Sequence, residues 1–339
     1  MRMLLEPQRY DVTGSYTARR CKIIRIDDDG TRGETEIWFQ LDKSVPLPQE
    51  DDCDAYLLAV VMEAMKENRS LEVKGSVSKQ LLSNLVEFQT AWNKWKPTTY
   101  SCIDVSVDNE RCTTEKVPGA ICAFSGGVDA TFSVWRHSQS KNSHRSQSIN
   151  LCSIVHGFDI PLCDDDAFEV AKQRAKETLS DIEIDLLPIK TNYRQISNVS
   201  WEDSFSAALV ATLSNYKVMA GTCIVGSSEP YDYLIFPWGS SPITDHLLSS
   251  SDFVVMHDGA SHSRTEKVKE LSEWKVGVDN LRVCWQETSE SQNCGVCEKC
   301  IRTKLNFLAA INSIPSCFLD TDILKGLDTV KLSNDAIHA

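Results

Sequence analysis

The spacing of apolar and polar positions changes character near residue 118. Before it, Cys21–Ile26 and Thr35–Leu41 are rich in β-branched and apolar residues and flank an acidic, glycine-containing segment, Asp27–Gly33. That pattern predicts two strands joined by a turn. Asp51–Glu67 sets Ala55, Leu58, Val61, Met62 and Met65 at helical spacing, which predicts an amphipathic helix. Leu71–Lys74 predicts a short strand. Ser78–Trp95, with Leu81, Leu82, Leu85, Val86 and Phe88 apolar, predicts a second helix. Residues 1–115 therefore read as a small α+β domain with a packing or docking role and no catalytic constellation.

From about Pro118 the pattern becomes strand, turn, helix, repeated. Ala120–Phe124, Asn150–Val155, Glu183–Pro188, Lys217–Ile224 and Phe253–His257 read as strands. Val128–Arg136, Asp165–Leu179 and Glu202–Leu213 read as helices. Strands alternating with helices predict a parallel sheet with crossover helices, hence an α/β fold. Ligands of such sheets bind beyond the carboxyl ends of the strands, where the strand order reverses. Ser138–Ser148 is polar and reads as a surface loop. Residues 226–252 form a long connection of the kind that covers an active site. This second domain spans 116–315, followed by a tail, 316–339.

At 339 residues the chain has room for about two domains, and 42% hydrophobic residues can fill their cores. The formal charge of −13 disfavours a large nucleic-acid footprint. The longest mostly apolar stretch, Ala55–Met65, is short and contains Glu63, so no membrane span is expected. Met1–Tyr10 lacks the features of a signal peptide, and a cytoplasmic location is expected. In that setting the 13 cysteines point to metal or chemistry rather than disulfides. Those inside apolar runs, such as Cys122, Cys152 and Cys223, read as small buried hydrophobes.

One segment carries candidate chemistry at a strand-to-helix turn: Phe124-Ser125-Gly126-Gly127-Val128-Asp129-Ala130. Two glycines let the backbone approach a ligand, and the helix start offers unpaired N–H groups and a positive dipole end. Together these make an anion cradle. Ser125 adds a hydroxyl, and Asp129 is placed either to hold Mg²⁺ or to order the loop. The segment resembles the signature Ser-Gly-Gly-x-Asp-Ser of the PP-loop ATP pyrophosphatases, with Ala130 in the last place. The resemblance implies that the loop grips the pyrophosphate end of ATP.

Cys284, Cys294, Cys297 and Cys300 form a second cluster, C-x9-C-x2-C-x2-C. Four thiolates at this spacing favour a closed tetrahedral Zn²⁺ site with a structural role. A redox thiol pair or an iron–sulfur cluster is the alternative. A PP-loop followed by Cys-x-x-Cys-x-x-Cys-x-Arg, here ending in Arg302, resembles the 7-cyano-7-deazaguanine synthases over about residues 118–312. It reads as a divergent relative, since residues 1–115 have no counterpart there.

The resemblance implies a nucleotide α-hydrolase type of sheet with helices on both faces. It also implies an ATP- and Mg²⁺-dependent ligase. A carboxylate is adenylated with release of pyrophosphate, and is then transferred to ammonia or an amine to give an amide or a nitrile. The substrate would be deazaguanine-like, with a protein terminus or nucleobase as another possible acceptor, and a homodimer is implied. Carried over by position, Ser125, Asp129 and Lys267 are the expected catalytic residues. Phe124–Asp129, Val155, His156, Gly221, Thr222 and Arg264 are the expected nucleotide contacts. Arg264 and Lys267 lie in Ser263–Lys267, which resembles a family segment opening a late helix; as bare residues they read equally as solvated helix-end cations.

A sulfur-transfer or tRNA-modifying enzyme, using Cys163 or Cys223, and a non-catalytic ATP-binding module are the other readings. His156 reads as a base, an adenine contact or a plain loop histidine, and His257 as a residue either facing the pocket or ending its strand without a role. Asp232 and Asp245, in the long loop, read as solvated loop acids or as carboxylates that bind Mg²⁺ or an amine. Trp201, Trp238, Trp274 and Trp285 read as packing residues, with Trp238, in the loop, also placed to line a pocket.

Overall fold

The computed structural model describes residues 1–113, 115–284 and 293–329. Trp285 and the end of the expected tail lie outside the described residues. The first stretch forms β1 (Arg2–Pro7), β2 (Asp11–Thr13), β3 (Tyr16–Ile26), β4 (Arg32–Asp42), α1 (Asp54–Glu67), β5 (Ser70–Ser78), α2 (Lys79–Trp95) and β6 (Val105–Arg111). The second contributes β7 (Ala120–Ala123), α3 (Val128–Ser138), β8 (Ile149–His156), α4 (Asp165–Ser180), β9 (Asp185–Thr191), α5 (Tyr193–Ile196) and α6 (Trp201–Leu213). It continues through β10 (Thr222–Gly226), β11 (Val254–Asp258), α7 (Arg264–Leu271) and α8 (Lys275–Asp279), then α9 (Glu298–Ile311) and α10 (Ile323–Thr329). No helix among the described residues is long and apolar enough to cross a membrane.

All the strands join one mixed sheet, in the order β11-β10-β7-β8-β9-β4-β3-β1-β5-β6, with β2 added to β3. The five strands β11, β10, β7, β8 and β9 run parallel. The chain steps outward from β7 through β8 and β9, then returns to the other side of β7 for β10 and β11. The strand order therefore reverses between β7 and β10, which is where an open α/β sheet leaves a crevice.

The boundary expected near residue 115 is a change of topology rather than a gap in the sheet. β4 pairs antiparallel with β9 through Phe39↔Thr191 and Gln40↔Lys190. Asn192 extends the join, accepting from the Trp38 amide (3.0 Å) and donating to the Glu36 carbonyl (2.7 Å). A buried charge cluster makes a second link between the two stretches of chain. The Lys217 ammonium meets Asp52, Asp54 (2.9 Å) and Asp252 (3.2 Å), and Arg111 pairs with the same three carboxylates. The three acids are close enough to suit a metal, but a buried ammonium already holds them together.

Alternating residues of the central strands feed two cores. Ile121, Cys223 and Val225 pack toward α1, α2 and α6. Ala120, Cys122 and Ile224 pack toward α3 and α4. Burial on both faces explains why these strands read as short, continuous apolar runs. Cys122, Cys152 and Cys223 are fully buried within them, as expected.

Several boundaries differ from expectation. The strand expected at Lys217–Ile224 begins only at Thr222, because residues 217–220 form a turn whose Met219 and Ala220 amides bond to the Tyr216 carbonyl. The strand expected at Glu183–Pro188 is shifted to Asp185–Thr191. Glu183 takes a left-handed conformation (φ 57°) in the turn that follows α4.

Candidate functional site

β7 ends directly in the glycine-containing loop, which opens α3. Gly126 has φ +79°, a conformation that side chains rarely adopt. Gly127 is the N-cap of α3 and provides no side-chain cap, so the first-turn amides keep no capping acceptor. The 11-residue helix thus presents N–H groups and its positive end at the strand switch point. Gly226, at the end of β10, sits so close that a Cβ there would lie 3.0 Å from the Asp129 carbonyl oxygen.

Asp129 organises two cations distant in sequence. Its Oδ2 accepts from Arg264 (2.9 Å) and its Oδ1 from Lys267 (2.9 Å), 135 and 138 residues along the chain. Both come from α7, whose start is fixed by a capping box between Ser263 and Glu266. Lys267 is fully buried and also donates to the Ser227 carbonyl just after β10. Burial pushes the Asp129 carboxyl up, but Arg264 and Lys267 outweigh it and hold it below its ordinary range. Both its oxygens are taken, so Asp129 serves as the counter-ion that positions two cations.

Further charges surround this pair. Lys299 and Arg302, on α9, lie near Arg264 and Asp129, and burial pushes both below their usual values. Glu229, in the loop after β10, is 8% exposed, and its Oε2 has no hydrogen-bond partner among the described residues. Burial raises its carboxyl against the pull of Arg264. Glu229 was missed in the sequence because a single acid in a Ser- and Pro-containing loop has no periodicity to mark it.

The four cysteines do converge. Their sulfurs lie within 4.8 Å of one another. Cys284–Cys297 is 3.9 Å and Cys294–Cys300 is 3.8 Å. A tetrahedral ion with ~2.3 Å arms to sulfur requires edges of ~3.8 Å, so the set fits a zinc-like metal. Cys297 directly precedes α9 and Cys300 lies in its first turn, so both sulfurs sit at the positive end of the helix. Asn293 braces the site, accepting from the Val283 and Cys284 amides and donating to the Leu281 and Cys317 carbonyls.

Other expected contacts are corrected. Gly221 and Thr222 lie at the amino end of β10, and Thr222 pairs with Ala120 at the start of β7. At ~3.3 Å per residue they are roughly 15 Å from the loop beyond β7. Gly226 and Ser227 occupy the expected place instead. The His156 ring is fully buried, stacked on Phe168 at 4.2 Å with Nε2 donating to the Pro161 carbonyl (2.9 Å). Burial lowers its pKa, and the stacked ring packs between strand and helix rather than facing the loop. Phe124 and Val128 place their side chains in the core and leave only backbone to a ligand. Val155 is partly buried against the core.

His257 faces Asp245 at 2.7 Å, and Asp245, far from being a solvated acid, is fully buried and also accepts from Ser240 (2.7 Å). Asp232 is exposed. Trp201 packs against Phe158 and Phe205, and Trp274 donates to Asp181 (2.7 Å). Of the two cysteines considered for sulfur transfer, Cys223 is buried with its thiol pushed well up, whereas Cys163 is exposed.

No family model, no curated protein and no solved structure matches this chain.

Proposed function

We propose that the protein is a PP-loop-type ATP-dependent ligase that activates a carboxylate as its adenylate. The observation that carries this reading is the glycine loop at the strand switch point, backed by Arg264 and Lys267 on Asp129. A strand-end loop with open helix amides and two anchored cations suits a pyrophosphate better than any neutral ligand.

In this reading the β- and γ-phosphates of ATP rest on Ser125–Asp129. A carboxylate oxygen of the substrate attacks the α-phosphorus, forming a C–O–P bond as the bond to the bridging oxygen breaks. Lys267 and Arg264 take up charge developing on the leaving pyrophosphate, so most of the gain comes from positioning and preorganised charge. Bound Mg²⁺ would add neutralisation; with Asp129 occupied, the phosphates and Glu229 are the groups left to hold it. An amine then attacks the acyl carbon, a proton is lost to solvent, and AMP leaves with formation of an amide. A second ATP-dependent dehydration would give a nitrile. The four-cysteine set would hold zinc and fix the segment after Leu281.

The test is product analysis with ATP, Mg²⁺ and a panel of carboxylates including 7-carboxy-7-deazaguanine, with and without ammonia. AMP and pyrophosphate should appear with one carboxylate class and be lost in Lys267→Met. Release of ADP and phosphate instead would refute adenylation.

A further inference from the structure

The four-cysteine cluster and the glycine loop touch through the chain that joins them. Arg282, two residues before Cys284, donates its backbone N–H to the Gly126 carbonyl at 2.8 Å. Its Cβ lies 3.2 Å from where a Cβ on Gly126 would sit, so the stem and the loop are packed backbone to backbone. The stem is itself held by Asn293, the residue before Cys294, and by Arg174, which donates to the Leu281 carbonyl (2.9 Å).

On its other side, the cluster starts α9. Cys297 and Cys300 bracket Lys299, and Arg302 follows within a turn. Arg302 pairs with Glu298 (3.3 Å) on the same helix. Asn306, further along α9, accepts from Thr265 of α7 (3.1 Å) and ties the two helices together. The ligating sulfurs are therefore within two residues of a loop contact on one side and of two flanking cations on the other.

We propose that the four-cysteine metal site and the anion loop are thermodynamically coupled, with Arg282 as the positioning residue between them. Metal occupancy fixes both the stem that bonds Gly126 and the helix that carries Lys299 and Arg302. The loop then binds pyrophosphate already shaped. Linkage makes the effect reciprocal: pyrophosphate must raise metal affinity by the same factor that metal raises pyrophosphate affinity. The inference rests on the anion-binding reading of the loop given above.

The experiment uses the full chain loaded with zinc. Pyrophosphate binding is measured calorimetrically on the loaded protein and on protein stripped by a chelator, with circular dichroism to confirm folding. Zinc affinity is measured by competition with a chromogenic chelator, with and without pyrophosphate. Stripping should weaken pyrophosphate binding about tenfold, and pyrophosphate should strengthen zinc binding by the same factor.

Arg282→Pro keeps all four cysteines and removes the N–H donor. It should retain one zinc per chain, bind pyrophosphate about tenfold more weakly and lose the effect of pyrophosphate on zinc. Equal pyrophosphate affinity in loaded and folded, stripped protein overturns the coupling. If stripping unfolds the chain, Arg282→Pro decides, and an intact linkage in that variant overturns the proposal. Absence of pyrophosphate binding in every form instead defeats the anion-site reading beneath it.

Discussion

Replacing Asp129 with asparagine keeps the side chain's shape and removes its charge. In the folded protein that carboxylate is the partner of Arg264 and Lys267, both largely buried. Breaking a buried ion pair by removing one member costs about 3–5 kcal/mol, because the other member stays desolvated. Lys267 keeps its bond to the Ser227 carbonyl, and the asparagine oxygen still accepts one hydrogen bond. The expected loss therefore falls somewhat below that range, about 2–3 kcal/mol. With a urea m-value of about 3 kcal/mol/M, the unfolding midpoint should fall by about 0.8 M.

The pH dependence carries a sign. The folded carboxyl lies below its ordinary 3.8, so its stabilisation is complete above that value and disappears as pH falls through the folded value. The gap between wild type and Asp129→Asn should be constant at neutral pH and narrow below about pH 4. Urea titrations at a series of pH values test this. A midpoint shift under about 0.2 M at pH 7, or a gap that persists unchanged in acid, would refute the counter-ion role.

Three further outcomes are expected. Lys217→Met leaves Asp52, Asp54 and Asp252 facing one another with Arg111 as their shared ion-pair partner among the described residues, and should cost about 3–5 kcal/mol in urea unfolding; a loss below about 1 kcal/mol would show that the cluster does not tie the first 111 residues to the parallel half. Gly126→Ala places a Cβ in a left-handed conformation, 3.2 Å from Arg282. It should destabilise by about 1–2 kcal/mol and weaken pyrophosphate binding in calorimetry, and unchanged binding would count against the loop as the anion site. Glu229→Gln removes the buried charge with the partnerless oxygen; steady-state kinetics should show kcat falling about tenfold or more with the folded stability unchanged or raised, and wild-type turnover would exclude a role in the reaction.

The parallel half is legible in the sequence because its strands are buried on both faces and alternate with amphipathic helices. α1, α2, the later half of β3 and most of β4 are equally readable from their patterns, whereas Tyr16–Arg20 of β3 lies outside the expected strand. β1 is not, because Arg2–Pro7 is a short run with buried Met3, Leu4 and Leu5 in succession and no alternation. β6 is hidden for the opposite reason: Val105–Arg111 is a largely exposed, polar edge strand with its alternation broken after Val107.

The loop Ser125–Asp129 and the four cysteines are visible as local spacing. The pairing of Asp129 with Arg264 and Lys267 is not, since it spans 135 residues and is made by tertiary packing. Gly221 and Thr222 are misplaced by the sequence pattern because an apolar run does not reveal which of its residues begin the strand. His156 misleads because a histidine at a strand end looks the same whether its ring turns outward or stacks on Phe168.

The most direct measurement is exchange of labelled pyrophosphate into ATP, in the presence of Mg²⁺ and the carboxylate that supports AMP release. A reversible adenylation on the Ser125–Asp129 loop predicts exchange that requires that carboxylate, needs no amine, and is lost in Lys267→Met while the variant stays folded. Turnover of ATP with no pyrophosphate exchange under any carboxylate, or exchange undiminished in Lys267→Met, would contradict the account.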